Sequence, residues 1–478
     1  MVRAVWLLLL PCLLRAGLEV AARRSRRELS PGLHRAGLRD PQGIYCRRLG
    51  SCCPGRDDAC TVPYIDTICY CDLFCNRTVS DCCPDFWAFC LGTRPPFHSR
   101  DECVRNGLLY PAGATYRENC NLCTCSSGHW DCEQHACLIN EELIRSINHG
   151  DYGWKASNYS QFWGMTLDEG IRYRLGTRRP SSTVLNMNKL NVRTHPGAQG
   201  GSKSGGTMDM DSNDVLPKHF NAADKWPGLI HQPMDQGNCA ASWAFSTAAV
   251  ASDRIAIQSM GHVRAVLSPQ NLISCNRRKQ QGCHGGRIDG AWWYLRRRGV
   301  VSDSCYPFSS SDSLHLGSRC MMSTRSAGRG KRQATMPCPN PDSHTNQIYQ
   351  TTPPYRLSSN EKEVMKELME NGPVQALMEV HEDFFVYRSG VYRHTPVMAE
   401  KPEKFRRHGT HSVKITGWGE EYGPNGQIHQ YWIAANSWGM NWGENGYFKI
   451  ARGENECDIE TFILSSWGRV TMEDVHRK

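Results

Sequence analysis

The sequence predicts small disulfide-rich modules followed by one large α+β domain, and three observations predict it. Ten cysteines crowd residues 46 to 90, and six more lie between 103 and 137. Residues 138 to 196 contain no cysteine, and a run rich in Gly, Ser and Asp follows them. Between 216 and 470 a series of short motifs then stands in a fixed order, and the α+β class is what their resemblance, given below, implies.

A chain of 478 residues, 40% hydrophobic, has room for about two to four domains and at least one sizeable core. Its 24 cysteines imply an oxidising compartment and many disulfides. The formal net charge is +9, with 56 basic residues among 47 acidic ones. Such a mild excess suits acidic polysaccharide or anionic surfaces, and equally suits ordinary solvated charge. No nucleic-acid partner is expected. Residues 1–22 read as a signal peptide: Arg3, an apolar run from Val5 to Leu14, and small residues at Ala21 and Ala22. No later run approaches about 18 apolar residues, so the mature protein is expected to be secreted and not membrane-spanning. Arg23 to Arg27 is a basic processing site or an exposed basic tail. Asn76 and Asn158 open glycosylation triplets.

Residues 46–90 are too rich in cysteine to rest on an apolar core and must be held by bridges. The stretch from Cys69 to Cys90, with its CxC, its CC pair and its final Cys, resembles a somatomedin B module. Ten cysteines exceed that module's usual eight, and the pairing stays open. Residues 103–137, with Cys120-x-x-Cys123-x-Cys125, Trp130 and Cys132, resemble the first half of a von Willebrand factor type C module. A zinc site is the rival reading of that Cys-x-x-Cys, although no paired histidines follow at finger spacing. In residues 138–196, Glu141 to Ile147 reads as a short amphipathic helix, followed by Trp154, Phe162, Trp163 and Leu167. This stretch resembles a cathepsin B-like propeptide, which implies that it lies along a protease groove. Residues 197–215 read as a flexible linker.

The strongest motif is Gln236 to Phe245, QGNCAASWAF. It is followed by Asn271 to Cys275, read as a strand-end Cys, and by Gly282-Cys283-His284-Gly285-Gly286. Gly409-Thr-His411-Ser-Val-Lys-Ile415 and Asn436-Ser-Trp438-Gly complete the series. Together these resemble the papain family over residues 216–470, most nearly cathepsin B. The resemblance implies a two-lobed fold, with a helical left lobe and a β-rich right lobe. It implies that His411 is the catalytic imidazole, that Asn436 orients it and that Gln236 is an oxyanion donor. It also implies that Gly285 and Gly286 bind substrate backbone and that Cys239 is bridged to Cys283. At the nucleophile position the family has cysteine, and this chain has Ser242.

That difference falls at the centre of the chemistry. A thiol at a helix N-terminus beside an imidazole ionises readily, whereas an alcohol does not. Serine nucleophiles rely on His as general base, usually backed by a carboxylate, and Asn436 is neutral. The domain is therefore expected to be inactive. Cathepsin B also carries a His pair in an insertion; the corresponding stretch, Ser309 to Cys338, has only His315. It holds Arg329-Gly-Lys331-Arg332, a second basic processing site or a solvated basic loop. Phe462 stands where that enzyme has an acidic pocket residue, which implies an apolar preference. Basic clusters at Arg296 to Arg298 and Lys404 to Arg407 are candidates for sulfated glycans.

The whole arrangement resembles the tubulointerstitial nephritis antigen family. The resemblance implies a non-catalytic glycoprotein of basement membrane or extracellular matrix, associated with laminin, collagen and integrin-type receptors. It needs no cofactor or metal. A weak serine-type peptidase and a decoy for protease substrates or inhibitors are the alternatives.

Overall fold

The structure is a computed structural model that describes residues 43–64, 67–75, 81–93, 102–185, 216–309, 319–328, 330–423 and 426–470. The signal peptide, the Arg23 to Arg27 run, Asn76, residues 186–196, the 197–215 linker, His315 and Arg329 lie outside the described residues. The chain divides into two compact units, 1–134 and 135–478.

The first unit is held by bridges. In its first part these are Cys46–Cys71, Cys52–Cys90, Cys53–Cys60, Cys69–Cys83 and Cys75–Cys82. Its buried cluster is mostly cystine, with Tyr64, Phe86 and Trp87 among the few large side chains added. One hairpin, β1 (Thr61–Tyr64) with β2 (Thr67–Tyr70), and two short helices, α1 (Cys46–Leu49) and α2 (Phe86–Cys90), complete it. The Asp85 carboxylate accepts the N–H groups of Tyr45, Cys46 and Arg47 at 2.9, 2.9 and 3.0 Å, satisfying donors that α1 leaves free.

The second part pairs β3 (Cys103–Arg105) with β4 (Leu108–Tyr110). Asn106 and Gly107 both take positive φ in the turn between them, as a two-residue hairpin requires. A three-stranded sheet of β5 (Thr115–Glu118), β6 (Asn121–Ser126) and β7 (His129–Cys132) follows. Cys103 is bonded to Cys125 and Cys123 to Cys132, and Cys120 is also in a disulfide. The cysteines that suggested zinc are thus consumed by bridges.

Past the disulfide-bonded Cys137, the second unit opens on the cysteine-free stretch. Helix α3 (Glu141–His149) starts where Asn140 accepts the amides of Glu142 and Leu143, and it buries Leu143 and Ile147. Helix α4 (Leu167–Arg174) starts at a capping box formed by Thr166 and Glu169. Between them β8 (Trp154–Ala156) joins the edge of the main sheet by pairing with β14 (Tyr387–Tyr392). Trp154 and Phe162 are buried against the sheet, while Trp163 is exposed. Phe162 meets Phe385 and Trp438 edge-on at 5.9 and 5.5 Å. A short turn, α5 (Ser182–Leu185), ends the described part of this stretch.

The nine-stranded sheet has the order β12-β18-β13-β15-β16-β17-β14-β8, where β12 is Tyr355–Arg356, with β9 (Phe220–Asn221) beside β15. Its long members are β13 (Val374–Val380), β15 (Gly409–Tyr422) and β16 (Ile428–Ala435); β17 (Tyr447–Ala451) and β18 (Phe462–Ser465) flank them. The helical lobe contains α7 (Ser242–Gln258), α8 (Pro269–Cys275) and α9 (Ile288–Arg297), preceded by the short α6 (Ala222–Lys225). A strand end was expected at Asn271 to Cys275, and the chain is helical there instead. Ser268 caps α8 by accepting the Asn271 amide, and Pro269 supplies its first residue, a helix-start pattern that outweighs the apolar run. Cys275 is bonded to Cys320, and Cys305 to Cys338. Among the described residues Cys457 alone carries a free thiol. No described helix is long and apolar enough to cross a membrane.

Candidate functional site: a groove filled by the chain itself

The two lobes meet where α7 begins. Ala240 and Ala241 are pinned by the Cys239–Cys283 bridge, and the Ala240 amide donates to Cys283 O at 3.0 Å. Ser242, the first residue of α7, is completely buried. On the other lobe His411 lies near the start of β15, and its Nε2 is 2.8 Å from Asn436 Oδ1. Asn436 Oδ1 also accepts the Ser437 amide at 2.8 Å. Trp438 lies against the imidazole, with ring centroids 5.2 Å apart. Burial pushes the His411 pKa down to about 4, with the Asn436 hydrogen bond working the other way, so the ring is neutral near pH 7.

Ser242, His411, Asn436 and Gln236 therefore converge, but Ser242 and His411 share no hydrogen bond. Ser242 Oγ is bonded to Thr177 Oγ1 at 2.8 Å, and Thr177 Oγ1 reaches Ser412 Oγ at 2.7 Å. His411 Nδ1 is buried without a partner. Thr177 belongs to the segment that follows α4, and that segment runs through the groove. The carbonyl of Leu175 accepts the Ser242 amide at 3.2 Å and Gln236 Nε2 at 3.1 Å. It satisfies a donor that the start of α7 leaves open. Gly286 accepts the Arg178 amide at 2.8 Å and donates its own to Gly176 O at 2.9 Å. The pairing of Thr177 with Gly286 is parallel. Gly285 takes φ +103, and a side chain there would press on Gly176 O. Beyond it, Arg179 pairs with Glu379 and lies 3.6 Å from Asp458.

Phe462 is buried in the helical lobe's core with Leu377 and Leu464, and Val184 packs against that cluster. The Arg356 guanidinium lies 5.2 Å from the Phe462 ring and donates to Leu185 O. The apolar position is thus adjacent to the chain's own α5. Asn158 is exposed in the loop after β8. Reading the sequence missed Leu175, Thr177 and Ser412. Ser412 stood inside the quoted His411 motif, and Gly176, at φ +107, was the available signal that the backbone there does something unusual.

A buried serine at a helix start, an imidazole on a strand and an asparagine hydrogen-bonded to it stand in a papain-type two-lobed domain. Residues 216–467 match the papain family cysteine protease family. Tubulointerstitial nephritis antigen-like of Mus musculus is 61% identical over 475 residues, 98% of this chain and 98% of that protein. Tubulointerstitial nephritis antigen of Bos taurus is 54% identical over 441 residues, 91% of this chain and 89% of that one. Among solved structures, proCathepsin B S9 from Trypanosoma congolense is similar, with 29% identity and a TM-score of 0.54, covering 70% of this chain and 100% of that one. The chain belongs to the tubulointerstitial nephritis antigen family, on a papain-family scaffold.

Proposed function

We propose that this protein is a secreted, non-catalytic cathepsin B-like glycoprotein of the extracellular matrix and basement membrane, working in matrix binding and cell adhesion. The observation that carries the reading is the hydrogen bond of Ser242 Oγ to Thr177, beneath a groove already filled by residues 175–178. An alcohol nucleophile needs its histidine as general base, and here the hydroxyl is turned to another partner. The Leu175 carbonyl takes the donors that an oxyanion would need. The same occupancy argues against a decoy, because a captured peptide would need that space. The disulfides and the exposed Asn158 suit a secreted glycoprotein. Laminin, collagen and integrin-type receptors are the proposed partners, with sulfated glycans as a further class.

The test uses the secreted full chain and Ser242→Ala. Both should bind immobilised laminin or collagen and support cell attachment equally, and neither should hydrolyse peptide libraries. Hydrolysis by the natural chain that Ser242→Ala abolishes would overturn the non-catalytic reading. Failure to bind any matrix component would overturn the adhesive one.

A further inference from the structure

Two basic clusters stand out in the sequence, and the fold treats them differently. In the first, Arg407 is paired with Asp168, and Glu400 and Glu403 stand in the same run of sequence. The second, Arg296 to Arg298, ends α9, where cations suit the helix dipole. That dipole does not explain what lies beside it. A hairpin of β10 (Thr324–Ser326) and β11 (Arg332–Ala334) brings two more arginines to the same place.

The contacts that join them are specific. Thr324 Oγ1 donates to Arg298 O at 3.3 Å, and Arg332 Nη2 donates to Thr324 O at 2.6 Å. Gln350 Nε2 donates to Arg296 O at 3.1 Å. Arg298 and Arg332 both act electrostatically on the one phenol of Tyr294. Arg297 and Arg298 are exposed, as is Arg325 on β10. No ion pair engages Arg296, Arg297, Arg298, Arg325 or Arg332 among the described residues. The described segments that build the patch, 291–302, 319–328, 330–340 and 344–357, contain no Asp or Glu. Unneutralised cations gathered from separate segments cost self-repulsion, and a polyanion relieves it.

We propose that this patch, formed by the C-terminal end of α9 and the β10–β11 hairpin, docks a sulfated polysaccharide chain. This rests on the matrix reading above and assigns one surface to the glycan. A sulfated glycan is favoured over nucleic acid because the disulfides place the protein in an oxidising compartment. The hairpin is also unlike a processing loop. Arg332 clamps Thr324 within a paired strand, so cleavage after it would first require β11 to peel away.

The test uses the full chain on immobilised heparin and on a sulfopropyl cation exchanger. The natural protein should need more salt to leave heparin than to leave the exchanger. Arg298→Glu with Arg325→Glu should abolish that difference and lower the slope of log affinity against log salt by about two. Lys404→Glu with Arg406→Glu makes the same charge change and should shift both resins alike. Arg298→Gln with Arg325→Gln should lose the heparin preference too, which guards against misfolding caused by charge reversal. Equal elution of the natural protein from both resins, or equal loss from the two charge-reversed pairs, would sink the proposal. So would binding to phosphatidylserine vesicles with the same sensitivity to the hairpin variants. Laminin and collagen binding, measured in parallel, separates failure of this site from failure of the adhesive reading.

Discussion

Gly176→Ala is the sharpest perturbation of the filled groove. Gly176 sits at φ +107, and a Cβ there would lie 2.0 Å from the carbonyl oxygen of Ala240 and 2.1 Å from its carbonyl carbon. Both atoms are backbone beside the Cys239–Cys283 bridge, so no flexible side chain can yield. Alanine is accommodated only by lifting the segment. Lifting it breaks the bonds from Ser242 N and Gln236 Nε2 to Leu175, both backbone bonds to Gly286, and the Thr177 hydroxyl contacts. At about 1 kcal/mol net for each, the segment is held by on the order of 5 kcal/mol.

The readout is alkylation by iodoacetamide at pH 6 in a Ser242→Cys background. With the groove filled, the introduced thiol is buried. Burial that holds the His411 pKa down to about 4 keeps the ring neutral at pH 6 and disfavours an imidazolium beside the introduced thiol. The thiol should then react more slowly than a small reference thiol. Adding Gly176→Ala re-exposes His411, lets its pKa return toward about 6.5, and leaves the thiol at the start of α7 beside an imidazolium. Alkylation should rise by about 100-fold or more. Equal rates in the single and double variants would refute the claim that residues 175–178 close the groove.

Other outcomes follow from the same contacts. Because the folded pKa of His411 lies below the ordinary value, its neutral form stabilises the fold fully above about pH 6.5. That stability, roughly 3 kcal/mol, is lost as pH falls toward 4. Burial raises Glu382 to about 7 and opposes this trend, so the quantity to measure is the difference in acid melting between the natural chain and His411→Gln, which should shrink the acid loss. Lys414 and Asp253 form a buried pair at 2.7 Å, and Lys414→Met should cost about 3 kcal/mol in denaturant melts by leaving the carboxylate only the His231 amide and ring. Asp85→Ala removes the acceptor for three amides and should destabilise the first unit by about 3 kcal/mol, read from its hydrogen exchange. Mild reduction should unfold residues 46–137 before the second unit melts, because cystine is most of that core. Survival of the first unit's fold in reductant would count against the last expectation.

The papain-type scaffold was legible because its motifs are chemical: Gln236, Ser242, His411 and Asn436 announce themselves by residue type and order. Helix α3 was legible from the spacing of its apolar residues, and its Asn140 cap is what the structure adds. Cys275 was read as a strand end although Ser268-Pro269 ahead of it is a helix-start signal. The occupant of the groove was legible only as a resemblance. Which atoms touch Ser242 depends on the parallel pairing of Thr177 with Gly286, and register between distant segments is not written in local pattern. The joining of Arg298 to Arg332 is likewise a tertiary fact, since more than thirty positions of chain separate them.

The tether on the groove's occupant has a consequence for competition. Residues 175–178 follow directly from α4, so their local concentration never falls on dilution. A closed state favoured by about 5 kcal/mol leaves the groove open in roughly one molecule in 5,000. A free peptide that bound the open groove with micromolar affinity would show an apparent constant of about 5 mM. Screening the intact chain for groove ligands would therefore report silence whatever the groove's intrinsic taste, and only a chain with the segment displaced would reveal it.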